Sequence, residues 1–229
     1  MSRRIRCALF DIDGTLVSMR GAGSRSMDRA FERLTGIPRA FVDVPMAGRT
    51  DRAIVETALE RLAAAGRAPA LAESFHAEFT TLYLEELETE AIKPGPTVCP
   101  GVLATLDRLE QLGVVLGLGT GNYAGAARIK LARFGLWSRF PFGGFGDETA
   151  DRVEVIARAA REGIRRSGAS PAEIVVIGDT PADIQAGRAI GARVLAVATG
   201  PIPPDELAAG RPDHLVPTLL DALHDGFWA

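Results

Sequence analysis

An apolar run from Ile5 to Phe10, interrupted only by Arg6, ends in two aspartates, Asp11 and Asp13. A β-strand would direct both aspartates to the same side of the backbone, because side chains alternate along a strand. Carboxylates that lie so close repel each other, so the fold must supply a cation or a proton beside them. Mg²⁺ prefers oxygen ligands and commonly bridges protein carboxylates to phosphates. The segment therefore indicates a nucleophile and an acid/base beside a metal site for phosphoryl transfer. The competing interpretation is a strand that ends in an Asx turn.

The second half of the chain alternates between predicted strands and predicted helices. It begins after the turn residues Lys93-Pro94-Gly95-Pro96. Strands are predicted at 114–118, 140–145, 173–177, 193–197 and 214–216, and helices at 101–112, 123–134, 151–166, 181–190 and after Pro217. This alternation predicts an α/β fold, a Rossmann-like parallel sheet covered by helices on both faces.

Residues 17 to 93 have helical periodicity instead. Helices are predicted at 24–35, 51–65 and 70–91, and the third would carry an apolar stripe of Leu71, Phe75, Phe79, Leu82 and Leu87. We therefore expect a discontinuous core, residues 1–16 and 96–229, interrupted by a helical domain at 17–95. Active sites in such sheets lie beyond the carboxyl ends of the strands, which is where Asp11 is placed.

A second apolar strand leads into Gly178-Asp179-Thr180-Pro181-Ala182-Asp183. If this strand is a parallel neighbour of the first, Asp179 comes close to Asp11 and completes an oxygen-ligand set for magnesium. Asp183 follows in the first turn of the next helix. The alternative is that Asp179 only caps that helix.

The strand at 114–118 leads into Gly119-Thr120-Gly121-Asn122 and then a helix. Backbone N–H groups at a helix N-terminus and the Thr120 hydroxyl can hold phosphate oxygens, with Gly121 and Asn122 beside them. Turn formation and helix capping by the same residues is the plain alternative. Gly119-x-Gly121-x-x-Ala124 also matches the dinucleotide-binding fingerprint, but residues 139 to 146 lack the acidic residue that the fingerprint expects.

A phosphate site with several carboxylates also needs a cation. Arg152 begins a predicted helix and is the candidate; a solvated surface arginine is the alternative interpretation. Lys130 and Arg128 are further options, but they lie within a helix rather than at a strand-to-helix junction. Arg49, at the start of a helix in the 17–95 segment, is a candidate contact for a substrate anion.

Composition excludes several classes of protein. The 229 residues are 47% hydrophobic, carry a net charge of −3 and contain no basic block, which argues against nucleic acid as a partner. Two distant cysteines, Cys7 and Cys99, offer neither a disulfide framework nor metal-ligand spacing. No run is long enough to span a bilayer, and the first apolar stretch is too short for a signal peptide. We therefore expect a cytoplasmic protein without a membrane partner, as a monomer or homodimer.

In this order, the segments resemble the motifs of the haloacid dehalogenase-like (HAD) hydrolase superfamily. Asp11-x-Asp13-Gly-Thr matches its first motif, Thr120 its second, and Gly178-Asp179-Thr-Pro-Ala-Asp183 its fourth. The third motif is usually a lysine, and Arg152 is the candidate here. The helical insert between the first and second motifs is similar to the cap of phosphoglycolate phosphatase-like proteins, and Gly48-Arg49-Thr50-Asp51 looks like their cap loop.

The resemblance implies a magnesium-dependent phosphatase acting on a small phosphorylated metabolite. Asp11 would attack phosphorus to form an aspartyl-phosphate, and Asp13 would protonate the leaving oxygen and then activate water. Mg²⁺ would be held by Asp11, Asp179 and the backbone carbonyl of Asp13. Asp183 would orient the loop or hold a metal-bound water.

The same resemblance gives Thr120 and Arg152 the role of gripping the phosphoryl group beneath a closing cap. It leaves two alternatives open, a sugar phosphomutase that uses the same motifs and a binding protein without catalytic activity on this scaffold. The dehalogenases of the superfamily lack the second aspartate, so Asp13 argues against that chemistry. Phosphonatases use a cap lysine, and this insert offers only Lys93 at its edge.

Overall fold

The structure, a computed structural model, describes residues 4–147, 149–224 and 227–228 of the chain. The outermost ends of the expected core, residues 1–3 and 229, lie outside the described residues. Six strands form one parallel sheet in the order β5-β4-β1-β6-β7-β8, and β2 and β3 form an antiparallel pair. The strands are β1 (Cys7–Phe10), β2 (Val17–Ser18), β3 (Thr97–Val98), β4 (Val115–Gly119), β5 (Gly143–Gly144), β6 (Ile174–Gly178), β7 (Arg193–Val197) and β8 (His214–Val216).

Nine α-helices are described. They are α1 (Ala22–Thr35), α2 (Asp51–Ala64), α3 (Phe75–Ala91), α4 (Val102–Gln111), α5 (Ala124–Ala132), α6 (Arg152–Ser167), α7 (Pro181–Ala189), α8 (Pro204–Ala209) and α9 (Leu219–His224). The α/β class and the parallel sheet predicted from the sequence are confirmed. None of these helices is long and apolar enough to cross a membrane, within the residues described.

Alternation along β1 explains why helices cover both faces of the sheet. Cys7 and Leu9 pack in one apolar cluster with residues of α6 and α7. Ala8 and Phe10 pack in the other, which includes Leu106 of α4. A strand buried on both faces is apolar at every position, which is why this run reads as continuous rather than alternating.

The register of the three central strands aligns their carboxyl ends. Phe10 at the end of β1 pairs with Leu118 of β4 on one side and with Ile177 of β6 on the other. The residues that follow these strands therefore emerge at one edge of the sheet, where parallel α/β folds form their sites.

Helices α1, α2 and α3 lie between β2 and β3, which pair antiparallel at Val17 with Val98 and at Ser18 with Thr97. The chain thus leaves the sheet and returns to it through two adjacent strands. Helices α1 and α3 pack against each other around the buried rings of Phe31, Phe79 and Tyr83. Phe31 meets Phe79 edge-on, and Phe79 stacks on Tyr83.

Two of the predicted elements are shorter than expected. The third helix starts at Phe75 rather than at residue 70, because residues 70–74 are exposed and lack the packing that stabilises a helix. Leu71, assigned to the apolar stripe of this helix, is 47% exposed and lies before it. The predicted strand at 140–145 contracts to Gly143–Gly144.

The buried carboxylate of Glu90 joins α3 to α1. Its side chain is 1% exposed and accepts from Arg25 at 3.0 Å, from Arg29 and from Lys93. Hydrogen bonds from Lys93, Arg29 and Arg25 lower the pKa of Glu90 to about 2. The carboxylate therefore stabilises the helix pair as long as it is charged.

Replacing Glu90 by Gln should lower the stability at pH 7 by about 1–3 kcal/mol, because three cations lose a buried charged partner. The folded-state pKa lies below the ordinary value, so this stabilisation is complete above pH 5 and is lost as pH falls from 4.5 toward 2. Thermal unfolding of both proteins across this range measures the difference. Glu85→Gln, which removes an exposed partner of Arg33, is the control and should change stability by less than about 1 kcal/mol. Equal losses from the two variants would contradict the assignment.

Candidate active site

Three buried carboxylates meet beyond the carboxyl ends of β1 and β6. Asp11 follows β1, Asp179 follows β6, and Asp183 lies in the first turn of α7; all three are at most 8% exposed. Each offers a carboxylate oxygen, and these oxygens lie within 4.8 Å of one another. They form the acidic cluster referred to below. Such an all-oxygen set is suited to a hard divalent cation.

The loops around Asp179 leave no space for side chains. A Cβ on Gly14 or on Gly200 would collide with the Asp179 carboxylate, and Gly14 also has a positive φ of 83°. Thr15 donates its hydroxyl hydrogen bond to Asp179 Oδ1 at 3.1 Å. The Gly-Thr pair after Asp13 thus has a structural purpose, since it forms the turn and holds the opposite aspartate.

Asp183 fixes the loop that carries Asp179. Its Oδ2 accepts from the Thr180 hydroxyl at 2.7 Å and from the Thr180 amide at 3.2 Å, while the Thr180 hydroxyl caps α7. Its Oδ1 accepts from Arg152 at 2.6 Å. Asp183 therefore orients the loop through one oxygen and faces the acidic cluster with the other.

Arg152, the cation proposed from the sequence, reaches the acidic cluster from the first position of α6. A single nitrogen, Nη2, lies 2.8 Å from Asp11 Oδ1, 2.6 Å from Asp183 Oδ1 and 3.1 Å from the carbonyl oxygen of Gly119. Nε is buried without a hydrogen-bond partner among the described residues. The guanidinium therefore makes these contacts through one nitrogen atom, at a place that an ammonium group could also occupy.

Asp13 occupies a different environment from Asp11. Its side chain is 43% exposed, and its Oδ2 accepts from Lys130 Nζ at 2.5 Å and from Asn122 Nδ2 at 2.9 Å. Lys130 is buried on α5 and also donates to Asn122 Oδ1. The structure thus places one cation on each aspartate of the pair.

Lys130 was only an alternative in the sequence analysis, because it lies within a helix. Burial lowers its pKa, but the nearby carboxylates of Asp13 and Asp51 outweigh that effect and raise the pKa above its ordinary value. Its rarity was the available signal, since Lys93 and Lys130 are the only lysines of the chain. A buried lysine in an arginine-rich sequence is a candidate for a specific charge partner.

The Thr120 hydroxyl lies behind the loop surface. Thr120 is fully buried, and its Oγ1 accepts from the Asn122 amide at 3.3 Å and from Asn122 Nδ2 at 2.8 Å. Gly121 and Asn122 line the adjoining cavity. The carbonyl oxygen of Gly121 accepts from the Asp51 amide at 2.7 Å, so this loop also touches the start of α2.

A cavity of about 460 Å³ opens above these groups. Its floor includes Asp11, Asp13 and Arg152. Asn122, Lys130 and Thr199 also line the cavity, and the 17–95 segment forms much of the remaining wall. The lining residues from that segment include Arg20, Gly21, Gly23, Ser24, Met27, Met46, Arg49, Asp51, Ile54 and Tyr83. The cavity has the size of a small-molecule site and is enclosed by both parts of the chain.

Arg49 lines this cavity, but its guanidinium is engaged with α2. Nη2 donates to Thr57 Oγ1 at 2.7 Å and to the carbonyl oxygen of Ala53 at 3.2 Å. The neighbouring Asp51 accepts from the Tyr123 amide at 2.8 Å, and burial raises the pKa of Asp51 to about 7 against the opposing charge of Lys130. The Gly48–Asp51 segment therefore contributes one cation and one carboxyl group to the walls.

The acidic cluster carries more negative charge than its surroundings balance. Burial raises the pKa of Asp11 to about 6 although Arg152 opposes the shift. Burial, with the charges of Asp11 and Asp183, raises the pKa of Asp179 to about 9. Without a further cation the cluster therefore retains protons near neutral pH, and a divalent cation would displace them.

Comparison with known proteins gives a consistent family. A family model described as haloacid dehalogenase-like hydrolase matches residues 5–191. Hexitol phosphatase A of Escherichia coli is 33% identical over 202 residues, 84% of each chain. A phosphoglycolate phosphatase of Xanthomonas campestris is 29% identical over 192 residues, 81% of this chain and 80% of the relative. The fold is also that of the crystal structure of CbbY from Rhodobacter sphaeroides in complex with phosphate, with a TM-score of 0.74, 17% identity, and coverage of 95% and 96% of the two chains.

The charge excess in the acidic cluster predicts an unusual pH dependence of the protein's stability when a chelator is present. Asp179 binds its proton more tightly in the folded state, with a pKa of about 9 against an ordinary 3.8. Stability should therefore fall as pH rises from about 4 toward 9, because the folded state holds this proton more tightly than the unfolded state does. Asp179→Asn should flatten this slope in thermal unfolding with EDTA, whereas Asp107→Asn, at an exposed position, should keep it. A wild-type slope in Asp179→Asn would show that this group does not carry the effect.

Proposed function

Because the chain belongs to the haloacid dehalogenase-like hydrolase family, whose named relatives are phosphatases, we propose that it is a magnesium-dependent phosphatase that hydrolyses a small phosphomonoester through an aspartyl-phosphate intermediate. The single observation that carries the proposal is the buried cluster of Asp11, Asp179 and Asp183, with Arg152 against it, on the floor of a 460 Å³ cavity. Nucleophile, metal ligands and cation are thus in contact before a substrate binds.

The donor set fits Mg²⁺. All three members of the cluster offer oxygen ligands, Arg152 supplies one positive charge against three carboxyl groups, and the pKa values of Asp11 and Asp179 are raised accordingly. Asp11, Asp179 and the backbone carbonyl of Asp13 would hold the ion, with Asp183 behind them. When bound, Mg²⁺ supplies positive charge that offsets the charge developing on the phosphoryl oxygens.

Asp11 serves as the nucleophile in this proposal. Its carboxylate attacks phosphorus while the ester bond breaks, and a proton from Asp13 goes to the leaving oxygen. Asp13, then ionised, takes a proton from water as that water attacks phosphorus and releases phosphate from Asp11. Lys130 and Asn122 hold Asp13 by one oxygen, Oδ2, which leaves its half-exposed carboxyl group facing the cavity.

The phosphoryl oxygens are bound by groups on two loops. Amides of the loop containing Gly121 and Asn122 provide donors on one side, and the buried hydroxyl of Thr120 behind them holds Asn122 in place. Arg152 lies on the other side, where its contact with Asp11 Oδ1 also fixes the direction from which the nucleophile attacks. Positioning of this kind lowers the barrier because the groups need no reorganisation during the reaction.

Residues 17–95 act as a cap domain over a core made of residues 1–16 and 96–229. The paired strands β2 and β3 join the two parts, and the cap supplies Arg49 and most of the apolar wall of the cavity. A cap over the floor of the site excludes bulk water, which strengthens the electrostatic contacts with the phosphoryl group. The substrate is accordingly a small phosphorylated metabolite.

Asp11→Asn should abolish phosphate release from para-nitrophenyl phosphate, with a fall in kcat of more than about a thousandfold, because the amide cannot attack phosphorus. The measurement is phosphate release with and without Mg²⁺, and the wild-type rate should depend on the ion. Asp107→Asn, an exposed aspartate paired with Arg139, is the matched control and should retain wild-type activity.

Several outcomes of this assay would overturn the proposal. Full activity in Asp11→Asn would exclude Asp11 as the nucleophile. Absence of phosphate release by the wild type across sugar phosphates, nucleotides and phosphoglycolate would favour a binding protein without catalytic activity. Interconversion of sugar phosphates without net release of phosphate would favour the phosphomutase, which uses the same residues.

Arg152→Lys should keep a substantial part of the activity, with a loss of about tenfold or less, since one nitrogen of Arg152 makes all its contacts with Asp11, Asp183 and Gly119. Arg152→Met should lose about a hundredfold or more in kcat, because among the described residues only Arg152 forms an ion pair with Asp11. Phosphate release at saturating Mg²⁺, with Tm measured for each variant, compares the two. Equal losses in both variants would mean that the guanidinium fork itself is required.

A further inference from the structure

Tyr83 presents a buried hydroxyl group to the cavity, and no described residue forms a hydrogen bond with it. The side chain comes from α3, is fully buried and lines the cavity. Its Oη accepts and donates no hydrogen bond among the described residues. A buried hydroxyl without a partner is costly and uncommon in folded proteins. The partner of this hydroxyl is therefore best sought among the atoms that enter the cavity.

Gly23 keeps a space open in front of Tyr83. A Cβ added at Gly23 would lie 3.6 Å from Tyr83 Oη and 3.6 Å from Lys130 Nζ, so the hydroxyl and the ammonium border the same space. Gly23 is in helix α1, where alanine would be intrinsically more favourable, and its backbone does not adopt the left-handed conformation that favours glycine. The preceding Gly21 differs, since its φ of 76° requires a glycine at the helix start. The missing side chain at Gly23 is thus explained by the space and not by the backbone.

The groups around this space include several hydrogen-bond donors, and the carboxyl groups of Asp13 and Asp51 lie near them. Lys130 has three N–H donors. It uses two of them, one on Asp13 and one on Asn122, and one is left. Tyr83 adds its O–H, and the first turn of α1, which also lines the cavity, has backbone N–H groups without intrahelical partners. An oxygen acceptor on a ligand would satisfy these donors together.

The space adjoins the position of the leaving group. Lys130 Nζ contacts Asp13 Oδ2 at 2.5 Å, and Asp13 is the group that protonates the ester oxygen in the proposed reaction. A substituent on the first or second carbon of the leaving alcohol would therefore reach Tyr83 and Gly23. An unsubstituted alkyl chain would leave the hydroxyl unpaired.

We propose that Tyr83, Lys130 and the open position at Gly23 form a specificity subsite that selects phosphomonoesters with an oxygen acceptor, a hydroxyl or a carboxylate, next to the ester carbon. This inference rests on the proposed phosphatase function and adds a substrate class to it. Tyr83 is a substrate-binding residue in this assignment, and Gly23 supplies the space that the acceptor occupies.

Three substrates with the same two-carbon chain test the subsite: ethyl phosphate has no acceptor, 2-hydroxyethyl phosphate has a hydroxyl, and phosphoglycolate has a carboxylate. The wild type should prefer one or both of the acceptor-bearing compounds to ethyl phosphate in kcat/KM. Tyr83→Phe should lower this preference about tenfold, as expected for one hydrogen bond. The hydroxyl and carboxylate arms show which acceptor the subsite takes.

Two further variants separate the subsite from general effects on folding. Gly23→Ala fills the space and should reduce the same preference without lowering Tm, because alanine favours the helix. Tyr123→Phe is the matched control, because Tyr123 is also buried and its ring centroid lies 6.3 Å from that of Tyr83, but it does not line the cavity. Tyr123→Phe should keep the preference, and Tyr83→Phe should not lower Tm.

The outcomes distinguish a failure of the subsite from a failure of the proposed phosphatase function. A wild type that hydrolyses these esters but shows an unchanged preference in Tyr83→Phe and Gly23→Ala overturns the subsite and leaves the phosphatase proposal intact. A wild type without preference for either acceptor also overturns the subsite. A wild type that releases no phosphate from any substrate, including para-nitrophenyl phosphate, overturns the proposed function itself.

Discussion

Mutual repulsion among three buried carboxyl groups is the constraint on which the rest of this site depends. Asp11, Asp179 and Asp183 lie within 4.8 Å of one another, and Arg152 alone of the cationic side chains bonds to them among the described residues. Such a group destabilises a fold unless protons or a cation neutralise it. The parallel sheet brings it together because β1 and β6 are neighbours in register, and the loops then hold it by hydrogen bonds from Thr15 and Thr180. The acidic cluster therefore lowers the stability of the fold and attracts positive charge.

The two aspartates of the first loop differ because each has its own cation and its own exposure. Asp11 is buried against Arg152, whereas Asp13 is half-exposed against Lys130. A nucleophile needs a fixed, desolvated carboxylate, and an acid/base needs access to water and to the leaving oxygen. Side chains alternate along the short extended segment, so Asp11 and Asp13 lie on one side of it. Helix α6 then brings Arg152 to Asp11, and helix α5 brings Lys130 to Asp13. Two identical side chains thus acquire different chemical environments two residues apart.

The sequence predicted most of the framework and the floor of the site, because those features depend on local patterns. Apolar runs that end in Asp11 and Asp179 locate the central strands, and the alternation of elements predicts the parallel sheet that joins them. The position of Arg152 at a helix start predicted its approach to the same edge. The predicted start of the third helix at residue 70 is wrong, since the apolar periodicity extends to Leu71 whereas residues 70–74 are exposed and the helix begins at Phe75. The sequence offers Lys130 only as an alternative to Arg152 and does not single out Tyr83, because an interior helical position does not reveal which face meets a cavity formed by distant segments.

In the loop after β4, the structure gives a different reason for Gly121 from the one that the sequence suggests. From the pattern Gly-Thr-Gly-Asn, Gly121 would serve the approach of a phosphate. In the structure, a Cβ at Gly121 would collide with the backbone of Arg49, and its carbonyl oxygen accepts from the Asp51 amide at 2.7 Å. The loop after β4, which we propose binds the phosphoryl group, is therefore also the surface on which the 17–95 segment rests. Because the same short stretch of backbone bonds to Asp51 on one face and lines the cavity on the other, the geometry of the loop and the seating of that segment are set together.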